Sequence, residues 1–184
     1  MKLRNRILAG VGAVLALAII ALGVALSYDA PCTRAAAPPD GDTMRGIVRR
    51  CYGGPEVLEL ATLARPVPGD DQVLVRVRAA GVNPLDYHYL RGKPWIMRLT
   101  TGLGAPREPR LGVDYAGTVE AVGRNVTRFK PGDAVFGGRD GAFAEYLVVR
   151  HDRAIAHKPD GVSFEQAAGV GVAAITALQA VRDK

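Results

Sequence analysis

The sequence predicts a mainly β (α+β) fold, in which short strands form a partly closed barrel or sandwich between an apolar N-terminal helix and a helical C-terminal segment. Residues 7–26 contain no polar side chain. Residues 44–160 consist of short β-prone runs separated by Pro-Gly turns, the pattern of a compact antiparallel β structure. From residue 161 the sequence becomes Ala-rich and opens on a helix-capping motif.

The apolar N-terminal segment is long enough to cross a membrane. At about 1.5 Å per residue, a helix over residues 7–26 covers the roughly 30 Å of a bilayer core. We therefore predict a membrane anchor over residues 1–28 that contacts the lipid bilayer through residues 7–26. A cleaved signal peptide is the alternative, with small-residue cleavage sites at residues 25–27 and 35–37. The apolar region of such a peptide usually spans only about 7–15 residues.

The charges around the anchor predict its orientation. Lys2, Arg4 and Arg6 precede the apolar run, which favours a single-pass protein with its N-terminus in the cytoplasm. The rest of the chain would then lie in an oxidising space, where Cys32 and Cys51 could pair. Residues 29–43 are rich in Ala, Pro, Asp and Gly, and are predicted to be a linker.

The β-prone region shows both strand and turn signals. Val73, Val75 and Val77 lie on one face and Arg76 and Arg78 on the other, the period of a half-buried strand. Residues 67–70 and 130–133 each carry Pro-Gly at their centre. This dipeptide predicts a type II turn, because Pro fixes φ at the second position and Gly accepts a positive φ at the third.

The C-terminal segment predicts two short helices. Residues 163–166 (Ser-Phe-Glu-Gln) form a capping box, and a second helical run extends from Val172 to Arg182. The formal charge of +6 does not indicate a nucleic-acid partner, because Lys and Arg are interleaved with acids and form no aromatic-flanked stripe. Two cysteines are also too few for a zinc site of the usual spacing.

A family resemblance is carried by three stretches, "LGVDYAGTVEAVGRNVTRFKPGDAVFG", "GAFAEYLVV" and "GVSFEQAAGVGVAAITALQAV". In this order they resemble the N-terminal, GroES-like half of the medium-chain dehydrogenase/reductase superfamily, in its zinc-independent quinone oxidoreductase and enoyl reductase branch. The resemblance implies a GroES-like, partly open β-barrel over residues 44–160. Residues 161–184 would be the connecting helices toward a dinucleotide-binding (Rossmann) domain.

The resemblance also implies a function. It predicts an NAD(P)H-dependent, zinc-independent oxidoreductase that reduces a small-molecule quinone, enone or carbonyl, and that forms a homodimer when complete. An N-terminus in the cytoplasm would separate this domain from the main NADPH supply. Reverse insertion, a translation start at Met44, or another reductant would remove the conflict. The alternative function is a non-enzymatic, membrane-tethered GroES-like β-barrel module.

The candidate site is "AAGVNPLDYHYLRG", residues 79–92. Taken alone, Asn83 and Pro84 suit the N-cap and N1 positions of an ordinary surface helix. The resemblance implies instead that this turn lies against the nicotinamide end of NADPH, with Asn83 and Asp86 as catalytic residues. Pro94 stands where mitochondrial-type enoyl reductases carry a tyrosine as proton donor. We therefore predict that Tyr87, or alternatively Tyr89, takes that catalytic role. The implied cofactor-binding residues are Asn83, Leu85, Asp86, His88, Thr176 and Gln179.

Two positions of the sequence indicate whether a zinc site is present, because zinc-bearing relatives carry metal ligands there. Asn83 stands where they place a cysteine, and Val113 stands where they place a histidine. Neither side chain offers the thiolate or imidazole that a tetrahedral Zn²⁺ site uses, so we predict no zinc.

The phosphate-binding half of the cofactor site is not found in these 184 residues. In the family, a strand and a Gly-rich turn follow the last helix and hold the pyrophosphate at a helix N-terminus. We therefore expect the isolated chain to bind NADP(H) weakly and to be inactive. Residues 95–109 are expected to cover the substrate side.

Overall fold

The computed structural model describes residues 2–33 and 37–182. Residues 35 and 36 of the second predicted cleavage site, residues 183–184 of the predicted connecting helices and the side chain of Lys2 lie outside this description. The helices are α1 (Lys2–Ser27), α2 (Pro84–Arg91), α3 (Arg98–Thr101), α4 (Phe164–Ala168) and α5 (Gly171–Arg182). The strands are β1 (Thr43–Val48), β2 (Glu59–Ala64), β3 (Gln72–Gly81), β4 (Asp114–Val122), β5 (Ala134–Gly138), β6 (Tyr146–Arg150) and β7 (Ile155–His157).

The strands form two antiparallel sheets. The larger has five strands in the order β6-β3-β4-β5-β7, and β1 pairs with β2 in a separate ribbon. Isolated β-bridges from Gly46 to Ala144 and from Val48 to Arg110 attach β1 to the segments that precede β6 and β4. The result is a mixed α/β domain with a partly closed barrel. Its core contains Val73, Val75, Tyr115, Val119, Val126, Phe129, Val135, Ala142, Leu147, Val149 and Ile155.

The predicted alternation of β3 is confirmed. Val73 and Val75 are fully buried and Val77 is partly buried against the core, while Arg76 is exposed. Leu74 is buried as well, which strict alternation does not predict. The pairing of β3 with β4 shifts register between Leu74 and Val75, and such an irregularity locally changes the direction of the side chains.

The two Pro-Gly turns differ. Gly132 has φ +94° and the Asp133 amide donates to the Lys130 carbonyl, so the type II turn over residues 130–133 is confirmed. The same prediction for residues 67–70 is wrong, because Gly69 does not adopt a positive φ. The turn instead runs from Gly69 to Gln72, since the Gln72 amide donates to the Gly69 carbonyl at 3.0 Å, and the Gln72 side chain also accepts a hydrogen bond from the Gly69 amide at 2.9 Å.

Helix α1 is continuous, and its apolar side chains are exposed over most of its length. The 24 residues Arg4–Ser27 are long and apolar enough to cross a membrane, by length and composition alone. The first residues of the predicted linker contact the β domain. Ala30 donates to the Gly104 carbonyl at 2.9 Å, and Cys32 forms a disulfide with Cys51.

The C-terminal helices begin as predicted. The Ser163 hydroxyl accepts a hydrogen bond from the Gln166 amide, and the Gln166 side chain accepts one from the Ser163 amide, so the capping box of α4 is confirmed. Helix α5 follows after a short break. Its large apolar side chains Ile175, Leu178 and Val181 are exposed.

Candidate functional site

The N-terminus of α2 is a complete capping box. The Asn83 side-chain oxygen accepts a hydrogen bond from the Leu85 amide at 2.9 Å, and Asp86 Oδ2 accepts one from the Asn83 amide, also at 2.9 Å. This confirms Asn83 as the N-cap and Pro84 as the first helical residue. The amides of Asn83 and Leu85, which have no acceptor within the helix, are hydrogen-bonded in this way. These bonds fix the side chains of Asn83 and Asp86 just after the end of β3.

Asp114, the first residue of β4, connects this turn to α5. Its Oδ2 accepts a hydrogen bond from Asn83 Nδ2 at 3.1 Å. The Val172 amide donates to both oxygens, at 3.0 Å to Oδ1 and 3.1 Å to Oδ2. Val172 lies in the first turn of α5, where free amides and the helix dipole favour a negative group. One carboxylate therefore ties together the starts of α2, β4 and α5.

Close packing at this junction depends on Gly171. A Cβ atom at this position would overlap Asp114 Oδ1, so a side chain there would displace the carboxylate. Gly81 has a similar role at the end of β3, where a Cβ atom would overlap the Ala168 carbonyl oxygen at the end of α4. The two glycines let β3 and the C-terminal helices approach each other.

Both acids of the junction are buried. Asp86 is 5% exposed and Asp114 is 2% exposed. Burial raises the pKa of Asp86, an effect opposed by the hydrogen bond from the Asn83 amide and reinforced by the charge of Asp114. Burial also raises the pKa of Asp114, opposed by the hydrogen bonds from Val172 and Asn83. Asp86 Oδ1 is buried and has no hydrogen-bond partner of ordinary geometry in the described part of the chain, although the Val113 backbone faces the carboxylate and works against the rise in its pKa.

An apolar cavity of about 650 Å³ adjoins the junction. Asp114 is the acid in its lining, Phe136 and Ile155 belong to its strand wall, and α5 forms the opposite wall with Ile175 and Thr176. Ligand sites typically occupy about 300–1,000 Å³, with mostly apolar walls and a few polar groups that orient the ligand. The cavity therefore has the size and lining of a site for a flat, largely apolar ring.

The structure brings some of the predicted site residues together. Asn83 and Asp86 meet at Asp114, and Thr176 lines the same cavity as Asp114. Leu85 is half-buried and contributes its amide to the α2 cap.

Other predicted residues lie apart from this junction. Tyr87 is 55% exposed and its ring contacts the His88 ring and the Arg91 guanidinium. His88 Nδ1 is hydrogen-bonded to the Lys93 carbonyl at 2.8 Å, and Gln179 is exposed on α5. Their predicted roles remain predictions.

A second, polar cleft of about 210 Å³ lies beside α2 and α3, and its lining includes Tyr89 and Arg49. Arg49 is 3% exposed and donates to the carbonyls of Tyr89 and Glu108, each at 3.1 Å. Burial lowers the pKa of Arg49, and burial raises the pKa of Tyr89. Sequence analysis did not identify Arg49, because its partners are about 40 and 59 residues away in the chain.

The donor set does not fit zinc. Within residues 2–33 and 37–182, no three His, Cys, Asp or Glu side chains come together as a metal-binding group. At the two sequence positions tested above, the Asn83 amide is committed to the α2 cap and Asp114, and Val113 offers no donor atom.

Residues 69–160 match the alcohol dehydrogenase GroES-like domain family. The quinone oxidoreductase of Pseudomonas aeruginosa is 42% identical over 133 residues, which cover 71% of this chain and 38% of that protein. The structure of Coxiella burnetii quinone oxidoreductase aligns with a TM-score of 0.70 at 32% identity, covering 77% of this chain and 45% of that one. Escherichia coli quinone oxidoreductase complexed with NADPH aligns with a TM-score of 0.63 at 29% identity, covering 77% and 40%.

The chain therefore belongs to the alcohol dehydrogenase GroES-like domain family, within the medium-chain dehydrogenase/reductases. This confirms the family resemblance found in the sequence. The chain spans 38% to 40% of the length of the first curated relatives it matches.

Proposed function

We propose that this chain is the substrate-side domain of a zinc-independent, NADPH-dependent oxidoreductase that reduces a small-molecule quinone, enone or carbonyl. The observation that carries the proposal is the junction at Asp114. It joins the polar turn of α2 to the start of α5, and Asp114 and α5 line one apolar cavity beside that turn. The names of the relatives and the NADPH-bound structure of one of them support the same class of reaction.

The junction residues fit the nicotinamide end of NADP(H). A nicotinamide ring has flat apolar faces and a carboxamide edge, which correspond to the apolar walls of the cavity and to the Asp114 carboxylate in its lining. Thr176 adds a hydroxyl to the same lining. When bound, NADPH supplies a hydride. A dinucleotide-binding domain joined after α5 would supply the phosphate contacts and cover the exposed Ile175, Leu178 and Val181.

The chain's own residues would position the reactants and balance charge. Asn83 and Asp86 are held by the capping box, so they keep their orientation without reorganising during the reaction. Tyr87 is exposed, and Tyr89 lines the polar cleft beside α2. The lining of this cleft and the lining of the apolar cavity have no described residue in common, so Tyr89 could donate a proton only to a substrate that extends from one to the other.

We also propose that α1 anchors the domain in a membrane with the N-terminus in the cytoplasm. The disulfide between Cys32 and Cys51 supports this orientation, since disulfides persist in oxidising compartments. An exported domain is separated from cytosolic NADPH. The proposed reaction then requires reduced cofactor, or another hydride donor, on the outer side of the membrane.

The test is an NADPH oxidation assay with a quinone acceptor, using protein made from the complete gene and purified in detergent. We expect quinone-dependent oxidation that a chelator leaves unchanged and that Asn83→Ala lowers. Val67→Ala, in the β2–β3 loop, is the matched control. Activity that a chelator abolishes and Zn²⁺ restores would overturn the zinc-independent mechanism. A folded protein without oxidation would instead favour the non-enzymatic module.

A further inference from the structure

Arg98 binds the C-terminal end of α1. Its guanidinium is 1% exposed and donates to the carbonyl oxygens of Leu26 at 3.0 Å and Tyr28 at 2.9 Å. It also contacts the Asp29 carboxylate at 2.7 Å and the Gly92 carbonyl at 2.8 Å. The last carbonyls of a helix lack internal partners, and a cation there also complements the helix dipole. Arg98 therefore joins the end of the apolar helix to the barrel domain.

The segment around Arg98 is built to hold this contact. The Arg98 guanidinium lies 4.4 Å from the centre of the Tyr52 ring. The Tyr52 hydroxyl donates to the Gly102 carbonyl at 2.8 Å. The Ala30–Gly104 hydrogen bond and the Cys32–Cys51 disulfide add attachments next to it. Residues 29–32 are therefore fixed to the domain, so they do not act as a free tether.

Next to this junction, the same segment exposes large apolar side chains. We call this surface the 95–103 patch, and it consists of Trp95, Ile96, Leu99 and Leu103. It is continuous with α1, because the turn Trp95–Met97 contacts α1 and Leu103 lines an apolar cavity together with Ala21, Val24, Ala25 and Tyr28. That residues 95–109 cover the substrate side stays a prediction. The first part of this segment packs beside the anchor.

The length of α1 indicates where the 95–103 patch would lie relative to the bilayer. Ala21 lies six residues before Ser27, or about 9 Å below the end of the helix at 1.5 Å per residue. The 24 residues of the apolar span are about 36 Å long, some 6 Å more than a typical bilayer core. If the helix spans the bilayer, side chains packed against its last two turns lie at the boundary between acyl chains and headgroups.

We propose that the 95–103 patch is a membrane-interface surface, which Arg98 locks to the end of α1 so that the barrel domain rests on the lipid bilayer. Trp95 and Tyr28 are the residue types enriched at this boundary. The burial of Arg98 requires α1 to remain attached, because removal of residues 1–28 would leave its guanidinium without the Leu26 and Tyr28 carbonyls. Because the patch is continuous with α1, we expect the lipid bilayer, and not another protein, to cover it.

Trp95 is the only tryptophan in the chain, so its fluorescence reports on the patch directly. The full chain is reconstituted into phosphatidylcholine vesicles, with and without bromine near the top of the acyl chains. We expect blue-shifted emission that shallow bromines quench. In the control, Trp95→Phe combined with Val67→Trp moves the tryptophan to the exposed β2–β3 loop, and we expect quenching to be lost.

Two variants test the patch and its attachment. Arg98→Gln, measured with the Cys32–Cys51 disulfide reduced, should loosen the attachment and lower the quenching while α1 stays in the vesicles. Ile96→Glu with Leu99→Glu should lower quenching with an unchanged circular dichroism spectrum, because both side chains are exposed and the fold does not depend on them. Unquenched emission from the unmodified chain, as from a surface facing water or a protein partner, would overturn the proposal. So would quenching that both variants leave unchanged.

Discussion

The side-chain amide of Asn83 donates a hydrogen bond of 3.1 Å to the carboxylate of Asp114, and this bond ties the start of α2 to the start of β4. The same carboxylate accepts the Val172 amide at the start of α5. Since α5 forms one wall of the apolar cavity, a single buried acid sets the distance between that wall and the polar turn.

Replacing Asp114 should destabilise the fold. In Asp114→Ala the Asn83 side chain and the Val172 amide lose their shared acceptor, and a buried donor left unsatisfied costs about 1–3 kcal/mol. We expect a lower free energy of unfolding in denaturant titrations of the full chain in detergent. Asp152→Ala is the control, since it breaks an exposed pair with Arg150 and should have much less effect. Equal losses in the two variants would contradict the role assigned to Asp114.

Stability should depend on pH in the acid range. Burial raises the pKa of Asp86 and of Asp114 in the folded protein. Between the unfolded pKa of about 3.9 and the raised values, the folded state binds more protons than the unfolded chain. The contribution of these groups to the free energy of unfolding is therefore highest below the unfolded pKa and falls as the pH rises through the folded pKa. Asp86→Asn should flatten this fall in denaturant titrations at several pH values, and an unchanged slope would refute the explanation.

A side chain at Gly171 should disturb the junction. Gly171→Ala places a Cβ atom against Asp114 Oδ1, and overpacking of this kind costs about 1–3 kcal/mol. Gly169→Ala is a matched control two residues away, where the nearest atom to an added Cβ is the Gln166 carbonyl oxygen at an ordinary 3.6 Å. Thermal unfolding of both variants measures the difference, and we expect a lower midpoint for Gly171→Ala alone.

The local parts of the fold follow from the sequence. The alternation of β3 and the capping box at Ser163 were predicted correctly, because each depends on residues a few positions apart. The turn at residues 67–70 was not, since the Gln72 amide donates to the Gly69 carbonyl and closes a turn two residues further along the chain. Pro-Gly at the centre of a turn does not by itself decide which four residues form it.

The roles of Asp114 and Arg98 could not be predicted in the same way. Asp114 binds residues 31 and 58 positions away, and Arg98 binds residues about 70 positions away. No local pattern marks such partners, and they become visible only once β4, α5 and the end of α1 are placed in space. Asn83 was predicted as an N-cap because a helix cap is a local motif, whereas Asp86 was named from the family resemblance and its part in the cap was not predicted.

The two cysteines test the side of the membrane on which the domain lies. If the domain is exported, Cys32 and Cys51 should resist a thiol-alkylating reagent until a reductant is added. The bond closes a segment with a sequence separation of 19 residues, and loss of such a bond typically costs about 2–4 kcal/mol. Cys32→Ser with Cys51→Ser should therefore lower the unfolding midpoint. Complete alkylation without reductant would place the domain in the cytosol and contradict the proposed orientation.

The most direct test of the proposed function is a chimera. Residues 1–182 replace the corresponding N-terminal part of Escherichia coli quinone oxidoreductase, which provides the remainder of a protein whose structure contains NADPH. The chimera is purified in detergent, so that Arg98 keeps its partners at the end of α1 and Cys51 keeps its disulfide with Cys32. The account predicts NADPH oxidation that depends on a quinone, that is insensitive to a chelator and that falls when Asp114→Ala is introduced. A folded chimera that binds NADPH but does not reduce the quinone, measured beside the active parent enzyme, would contradict it.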